Sequence, residues 1–283
     1  MLTFISTLVY VCVMYSVLWD FFTTKALFVI FLVITLLFLL LQKRNYVFLA
    51  VKVLPFLVYD KLRGTSAEQQ CLEYVLANAR KGDAESVLNT VDHFTCNCRL
   101  MMNIGPEKRL DVLDQVVKSL KPKSVLELGT YCGYSAIAVA RHLDPGSRLY
   151  SVEINATHAD IARKIVAFSG LSDRIEVVEA ASDDIVANVK SKLGITDGFD
   201  LVLLDHWQSY YIRDLKTLIE HNRLHHGSVV IADNMLFPKV SEYANYIRNN
   251  TDFESKLYEV TTLHMCNGIS DGMEVSTYLP KNS

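Results

Sequence analysis

Two uncharged apolar runs open the chain, Leu2 to Trp19 and Ala26 to Leu41, separated by Asp20-Phe21-Phe22-Thr23-Thr24-Lys25. They hold 18 and 16 residues, the second reaching 17 with Gln42, about long enough for a helix to cross the hydrocarbon core of a bilayer. The pattern predicts a two-helix hairpin, or a single span over Ala26 to Gln42 preceded by an interfacial helix. A third run, Tyr46 to Tyr59, is too short to span and contains Pro55. It reads as an interfacial segment or a simple linker. The chain thus divides into an anchor (1–44), a juxtamembrane segment (45–64) and a globular domain (65–283).

Beyond Thr65 the periodicity changes. Ser66 to Ala79 has 3.6-residue spacing with Leu72, Val75 and Leu76 on one face, and Ala84 to Phe94 follows the break at Gly82-Asp83. Glu107 to Leu120 predicts a third helix after the turn residues that end Met101 to Pro106. Short apolar runs then alternate with helical ones. Strands are expected at Ser124–Leu128, Arg148–Glu153, Ile175–Val178, Phe199–Leu204 and Ser228–Ala232. Helices are expected at Cys132–Leu143, Ala156–Ser169, Asp183–Leu193 and Tyr210–His221. Continuous apolar strands in this rhythm imply a doubly wound parallel sheet covered on both faces. Phe253–Val260 and Met273–Leu279 add an antiparallel pair at its edge.

The 283 residues suffice for one sizeable core plus an appendage. A formal charge of −3 and the lack of a basic stripe exclude nucleic acid as the expected partner. Membrane lipid is the expected contact of the first residues, with a membrane-protein partner also open. Met1-Leu2-Thr3 supplies no basic start for a cleaved signal, and Lys43, Arg44, Lys52, Lys61 and Arg63 follow the second run. The globular domain is therefore expected on the cytosolic side of the endoplasmic reticulum or plasma membrane. The 6 cysteines form no regular framework, which suits a reducing compartment. His93-x-x-Cys96-x-Cys98 has no second Cys/His pair to complete a zinc site.

Candidate chemistry lies at the strand tips, where open α/β sheets collect ligands. The first strand runs into Gly129-Thr130-Tyr131-Cys132-Gly133, and the second ends at Glu153, a carboxylate placed to hold the two hydroxyls of a ribose. The G-x-x-x-G spacing lacks the pyrophosphate cradle of G-x-G-x-x-G. A nucleoside without phosphates fits better, S-adenosylmethionine being the common one. Asp205 at the tip of the fourth strand and Asp233-Asn234 at the tip of the fifth offer three hard oxygen ligands, which suit Mg²⁺.

Glu127-Leu-Gly-Thr-Tyr-Cys-Gly-Tyr-Ser135, Leu204-Asp-His-Trp207 and Ala232-Asp-Asn234 together resemble the catechol O-methyltransferase family. Met102-Asn-Ile-Gly105 and Asp271-Gly-Met-Glu274 extend the likeness, which runs in order from about Ala67 to Pro280. The N-terminal runs, Met102–Pro106, Gly129-Thr-Tyr131 and Tyr211-Ile-Arg-Asp214 are similar to its transmembrane O-methyltransferase branch. The resemblance implies a Rossmann-like class I methyltransferase sheet. It further implies that Glu127, Gly129, Tyr131 and Ser135 line the methionine end of S-adenosylmethionine, with Met102 and Ile104 closing over it. Glu153 would hold the ribose, and Ile154, Ser182, His206 and Trp207 would frame the adenine. Asp205, Asp233 and Asn234 would bind Mg²⁺, Glu274 would accept a hydrogen bond from the second catechol hydroxyl, and Leu100, Trp207 and Pro238 would wall the substrate ring.

Three positions depart from the family. Gln208 stands where the catechol enzymes carry the lysine that takes the phenolic proton; glutamine can only hydrogen-bond that oxygen. Leu100 replaces a gating tryptophan, and Arg109 a glycine. Two functions are therefore expected: a membrane-anchored, Mg²⁺-dependent methyltransferase of catechols or related vicinal diols, or a weakly active binding or trafficking protein of the same fold.

Overall fold

The computed structural model describes residues 64–99, 101–236, 241–262 and 269–281. Both apolar N-terminal runs, residues 45–63 of the juxtamembrane segment, Leu100 and Pro238 lie outside these. Among the described residues no helix is long and apolar enough to cross a membrane.

Seven strands form one sheet in the order β3-β2-β1-β4-β5-β7-β6. The strands are β1 Ser124–Leu128, β2 Arg148–Glu153, β3 Ile175–Glu179, β4 Phe199–Leu204, β5 Leu224–Ala232, β6 Phe253–Thr262 and β7 Ile269–Tyr278. The first five pair in parallel, and β7 runs antiparallel between β5 and β6. This is the doubly wound sheet with an antiparallel C-terminal edge that the alternation of short apolar and helical runs predicts.

Side-chain alternation along β1 and β4 divides the core. Val125, Leu201 and Leu203 pack with helices α1 (Ala67–Asn78), α2 (Ala84–Asn97), α3 (105–120), α4 (Tyr134–Ala140) and α5 (Ala156–Ser169). Leu126, Leu128, Val202 and Leu204 pack on the opposite face with α6 (Ser182–Ala187), α7 (Val189–Leu193), α8 (Tyr211–Glu220) and α9 (Ser241–Asn249). Helix α3 comprises Gly105–Lys108, a π turn at Arg109–Leu113 and Asp114–Leu120.

Local chemistry accounts for the departures from expectation. In α1 Cys71 lies inside and Leu76 is exposed, so the buried stripe is rotated from the one predicted. Helix α3 starts at Gly105 because Pro106 fits the first helical turn, where its missing N–H costs nothing. Helix α4 starts only at Tyr134, since Gly133 takes φ 83° as its cap. The helix expected over Asp183–Leu193 breaks at Asn188, whose side chain bonds back to Asp184. Strand β5 begins earlier than predicted, through a register shift between Phe199 and Leu201. Sequence reading assigned no element to α9, which buries only Tyr243 and Ile247.

Candidate active site

The strand register brings the site together. Leu128 pairs Leu204, and Leu204 pairs Ala232, so the next residue of each strand emerges at the same level. The ladder continues one step past the strands: Gly129 N donates to Val152 O, Asp205 N to Leu128 O, and Asp233 N to Leu204 O, at 2.9, 2.9 and 3.0 Å. Gly129 is obligatory. It adopts φ +101°, and a Cβ there would lie 2.3 Å from the Asp205 carbonyl oxygen. The loop backbone therefore rests directly on the tip of β4.

Glu127 lies beneath this loop with 0% exposure. Ser151, its partner on β2, donates to Oε2 and in turn shares a 2.6 Å hydrogen bond with Thr130. Glu127 Oε1 is buried without a hydrogen-bond partner. Burial pushes this carboxyl up to about 7, against the opposing pull of the Ser135 and Ser151 hydroxyls. Next door, Glu153 receives one backbone N–H on each oxygen, from Tyr131 at 2.8 Å and Asn155 at 2.9 Å. These bonds fix its orientation and leave lone pairs on both oxygens. Tyr131 achieves this at φ 50°, while its hydroxyl turns away to donate to Glu68 of α1 at 2.6 Å. Its backbone, and not its phenol, serves the cleft.

On the other side lies a cluster of acids. Lys108 of α3, 1% exposed, donates to Asp233 Oδ1 and Asp271 Oδ2, both at 2.6 Å. Burial alone would lower the Lys108 ammonium, but the two carboxylates outweigh it and hold it above its ordinary value. Burial, and then the charge of Asp233, pushes the Asp205 carboxyl well above the usual range, with Lys108 pulling the other way. Asp233 is also raised, first by burial, against the pull of Lys108. Three carboxylates thus face one ammonium, and the surplus negative charge is what a cation would relieve. Asn234, at φ 58°, donates its Nδ2 to Asp271 at 3.2 Å, leaving its carbonyl Oδ1 for a hard cation. Among the described residues no group of three His, Cys, Asp or Glu is gathered as a metal centre. The candidate set is two acids and an amide, which suits an ion that keeps other oxygens in its remaining positions.

His206 and Asp214 share a 2.8 Å hydrogen bond between Nε2 and Oδ2, and Arg213 Nε donates to Asp214 Oδ1 at 2.6 Å. Burial would raise Asp214, but the bonds from His206, Arg213 and Ser182 hold it below the usual carboxylate range. Met102, Ile154 and Trp207 are 78%, 75% and 74% exposed, whereas Ile104 is buried.

Glu274, expected to accept from a substrate hydroxyl, is paired within the protein. It is 0% exposed, and both of its oxygens accept from Arg248 of α9, at 2.8 and 2.5 Å. Asp271, which meets Lys108, is three positions earlier on β7, and strand side chains alternate. Glu274 therefore takes the sheet face covered by α9, opposite Ala232 at the tip of β5. Gln208 begins the 3-10 turn Gln208–Tyr210 directly after Trp207. Lys108 and Asp271 were missed by sequence reading. A lysine beside turn residues looks exposed, and Asp271 marked a motif without a role. Away from the site, Cys96 and Cys98 are free and exposed, and His93 pairs with the Tyr74 hydroxyl at 2.9 Å.

A glycine turn on the central strand, an acid on the second and facing acids on the fourth and fifth define a Rossmann-like methyltransferase fold with its cleft at the strand tips. The O-methyltransferase family profile matches residues 79–274, and the chain belongs to that family. It is 41% identical over 220 residues to catechol O-methyltransferase B of Danio rerio, covering 78% of this chain and 82% of that one. It is 35% identical over 242 residues to the transmembrane O-methyltransferase of Homo sapiens, covering 85% and 82%. Among solved structures, the O-methyltransferase from Bacillus cereus in complex with SAH superposes with a TM-score of 0.57 at 22% identity, over 74% of this chain and 90% of that one.

Proposed function

We propose that the chain is a membrane-anchored, Mg²⁺-dependent enzyme that moves a methyl group from S-adenosylmethionine to one hydroxyl of a catechol or related vicinal diol. The observation that carries this reading is the placement of Asp205 and Asp233 beside a glycine loop whose buried Glu127 Oε1 lacks a partner. Relatives named for catechol O-methylation and a neighbour solved with SAH support it. The two apolar N-terminal runs and relatives named transmembrane support the anchor.

When bound, the cofactor supplies an electrophilic methyl group, and the ion supplies positive charge that acidifies a nearby hydroxyl. The protein's part is placement. Glu127 Oε1 accepts from an ammonium group, and Glu153, held by Tyr131 and Asn155, accepts from vicinal hydroxyls. Asp205, Asp233 and the Asn234 carbonyl hold the cation, with Lys108 fixing the Asp233 carboxylate from behind. Met102 and Trp207 exclude water from the cleft mouth. Gln208 can accept a hydrogen bond from the reacting hydroxyl at Oε1 but cannot take its proton. Orientation of reacting groups alone can supply about 7–11 kcal/mol of barrier lowering.

The test is methyl transfer from labelled S-adenosylmethionine to a simple catechol, with Mg²⁺ and with chelator, beside calorimetric titration of S-adenosylhomocysteine. Product that disappears with chelator is expected. Cofactor binding without product from a panel of vicinal diols would overturn the catalytic reading. It would favour the second one, a membrane-bound binding or trafficking factor, to which Gln208 already points.

A further inference from the structure

Asp271 is tied to two of the three candidate cation ligands without being one of them. It lies on β7 and is 4% exposed. Its Oδ2 accepts from the Lys108 ammonium at 2.6 Å and from Asn234 Nδ2 at 3.2 Å, and its Oδ1 accepts from the Leu236 backbone N–H at 3.1 Å. Lys108 in turn donates to Asp233 Oδ1 at 2.6 Å. One carboxylate thus holds Asn234 directly and is joined to Asp233 through a single ammonium.

The backbone fixes this carboxylate in place. Ala232 pairs with Glu274 in the antiparallel ladder, and beyond it the chain still leans on β7, with Met235 N donating to Gly272 O at 3.0 Å. On the other side Gly272 packs so close to β6 that a Cβ would lie 2.7 Å from the Tyr258 carbonyl oxygen. Asp271 is therefore held between β6 and the residues that leave β5. A carboxylate only accepts, so the end of the Asn234 amide turned toward it is the NH₂ group. The carbonyl Oδ1 is then the end left for a cation. Without that contact the amide is free to turn over, and a donor in place of the carbonyl repels a cation.

We propose that Asp271 is a positioning residue of the cation site, which selects the Asn234 carbonyl as the ligand atom by engaging its Nδ2. The inference rests on the reading above, in which Asp205, Asp233 and Asn234 hold the cation. Lys108 offsets the charge of Asp271 at contact distance, so what this residue supplies is position more than field. An amide cannot replace it. The single carbonyl oxygen of an amide cannot serve the Leu236 N–H on one side and the Lys108 and Asn234 donors on the other.

The experiment titrates the full chain with Mn²⁺, a hard ion suited to oxygen ligands, and reads the free ion by electron paramagnetic resonance. Calorimetry with S-adenosylhomocysteine in chelator is the control for the fold. Asp271→Asn and Asn234→Ala should each weaken Mn²⁺ by about tenfold, the lower end of what partners behind metal ligands contribute. Lys108 keeps its bond to Asp233 in Asp271→Asn, so the loss is read at Asn234. The double variant should therefore stay within about threefold of the weaker single, whereas independent effects would multiply to about a hundredfold. Affinity for S-adenosylhomocysteine should change less than about twofold throughout, as for sites without a shared partner. Multiplied losses in the double variant, or full Mn²⁺ affinity in Asp271→Asn, would overturn the proposal. Parallel loss of Mn²⁺ and S-adenosylhomocysteine would overturn it too, by reducing Asp271 to support of the fold. Should Asp271→Asn not fold, Asp271→Glu decides, because it keeps the charge and displaces the oxygens by one methylene. Weakened Mn²⁺ binding in that variant supports positioning, and full affinity overturns it. A wild-type chain that binds S-adenosylhomocysteine but not Mn²⁺ would instead overturn the cation reading, and this inference with it.

Discussion

Glu127 shows how one side chain couples the fold to its ligand. Its carboxyl is pushed by burial to about 7, far above the value it has in an unfolded chain. A group raised in the folded state favours folding below its unfolded pKa, and that contribution is lost as pH rises through the folded value. Without cofactor, stability should therefore decline from about pH 4.5 to 7 by an amount on the order of 3 kcal/mol at most. Glu127→Gln should flatten this part of the melting-temperature profile. An unchanged slope would mean that the carboxylate is already paired in the free protein. Gln208 makes a separate prediction. If a missing base limits turnover, Gln208→Lys should raise catechol methylation by about 10²-fold or more, the usual contribution of a positioned base. No gain would mean that the remaining groups acidify the hydroxyl sufficiently. The positions of Asp205, Asp233 and Asn234 at strand tips were legible in the sequence because strand ends announce themselves by an apolar run that stops at a polar residue, whereas Glu127, inside β1, stood out only through the family motif. The pairing of Glu274 with Arg248 was not legible, because a motif match does not reveal which face of a strand a residue takes, and one position of alternation decides it.

Among the elements, α3 holds the site from behind. Its consecutive residues Lys108 and Arg109 point to different partners, the first to Asp233 and Asp271, the second to α2 and α4. Arg109 is 2% exposed, donates to the Tyr134 hydroxyl at 2.8 Å and to Asp92 Oδ2 at 2.9 Å, and begins the π turn. The Tyr134 hydroxyl also donates to Asp92. Here lies the physical effect of an arginine where the family carries a glycine. Its removal takes the buried cation away from Asp92 and the Tyr134 hydroxyl, so Arg109→Ala should cost about 3–5 kcal/mol in urea unfolding. A loss below about 1 kcal/mol would mean that water replaces the guanidinium without penalty. The Gly129 turn is less forgiving still. Gly129→Ala combines left-handed strain of about 1–3 kcal/mol with a clash against the Asp205 carbonyl, and S-adenosylhomocysteine binding should be lost. Normal affinity in that variant would place the cofactor elsewhere. The limits of β1, β2, β4 and α5 could be read directly, because apolar runs, an Asn155 cap and Gly170 mark them. The starts of α3 and α4 could not. Pro106 and Gly133 are ambiguous between turn and helix until tertiary contacts choose, and a buried arginine network leaves no hydrophobic trace.

At the scale of the whole chain, the described residues already contain a complete sheet with both faces covered, and the O-methyltransferase match begins at residue 79. Among the described residues, core, glycine loop and acid cluster all draw on the stretch after Thr65, so we expect the first 64 to contribute chiefly to location. Truncation to begin at Gly64 should therefore yield a protein with an unchanged dissociation constant for S-adenosylhomocysteine and an unchanged melting transition. Its distribution should differ. The full chain should sediment with membranes and resist alkaline extraction, since a helix of about 20 apolar residues inserts effectively irreversibly, whereas the truncated chain should remain in the supernatant. Extraction of the full chain by alkali would reduce Leu2 to Trp19 and Ala26 to Leu41 to peripheral helices. A truncated chain that folds but loses cofactor affinity would show that the N-terminal residues take part in the site itself. Because α1 begins at Ala67 and its Glu68 holds the Tyr131 hydroxyl, the distance from the cut to the cofactor loop is only a few residues. Affinity is thus the more demanding of the two readouts, and it should be measured on both forms under the same Mg²⁺ concentration.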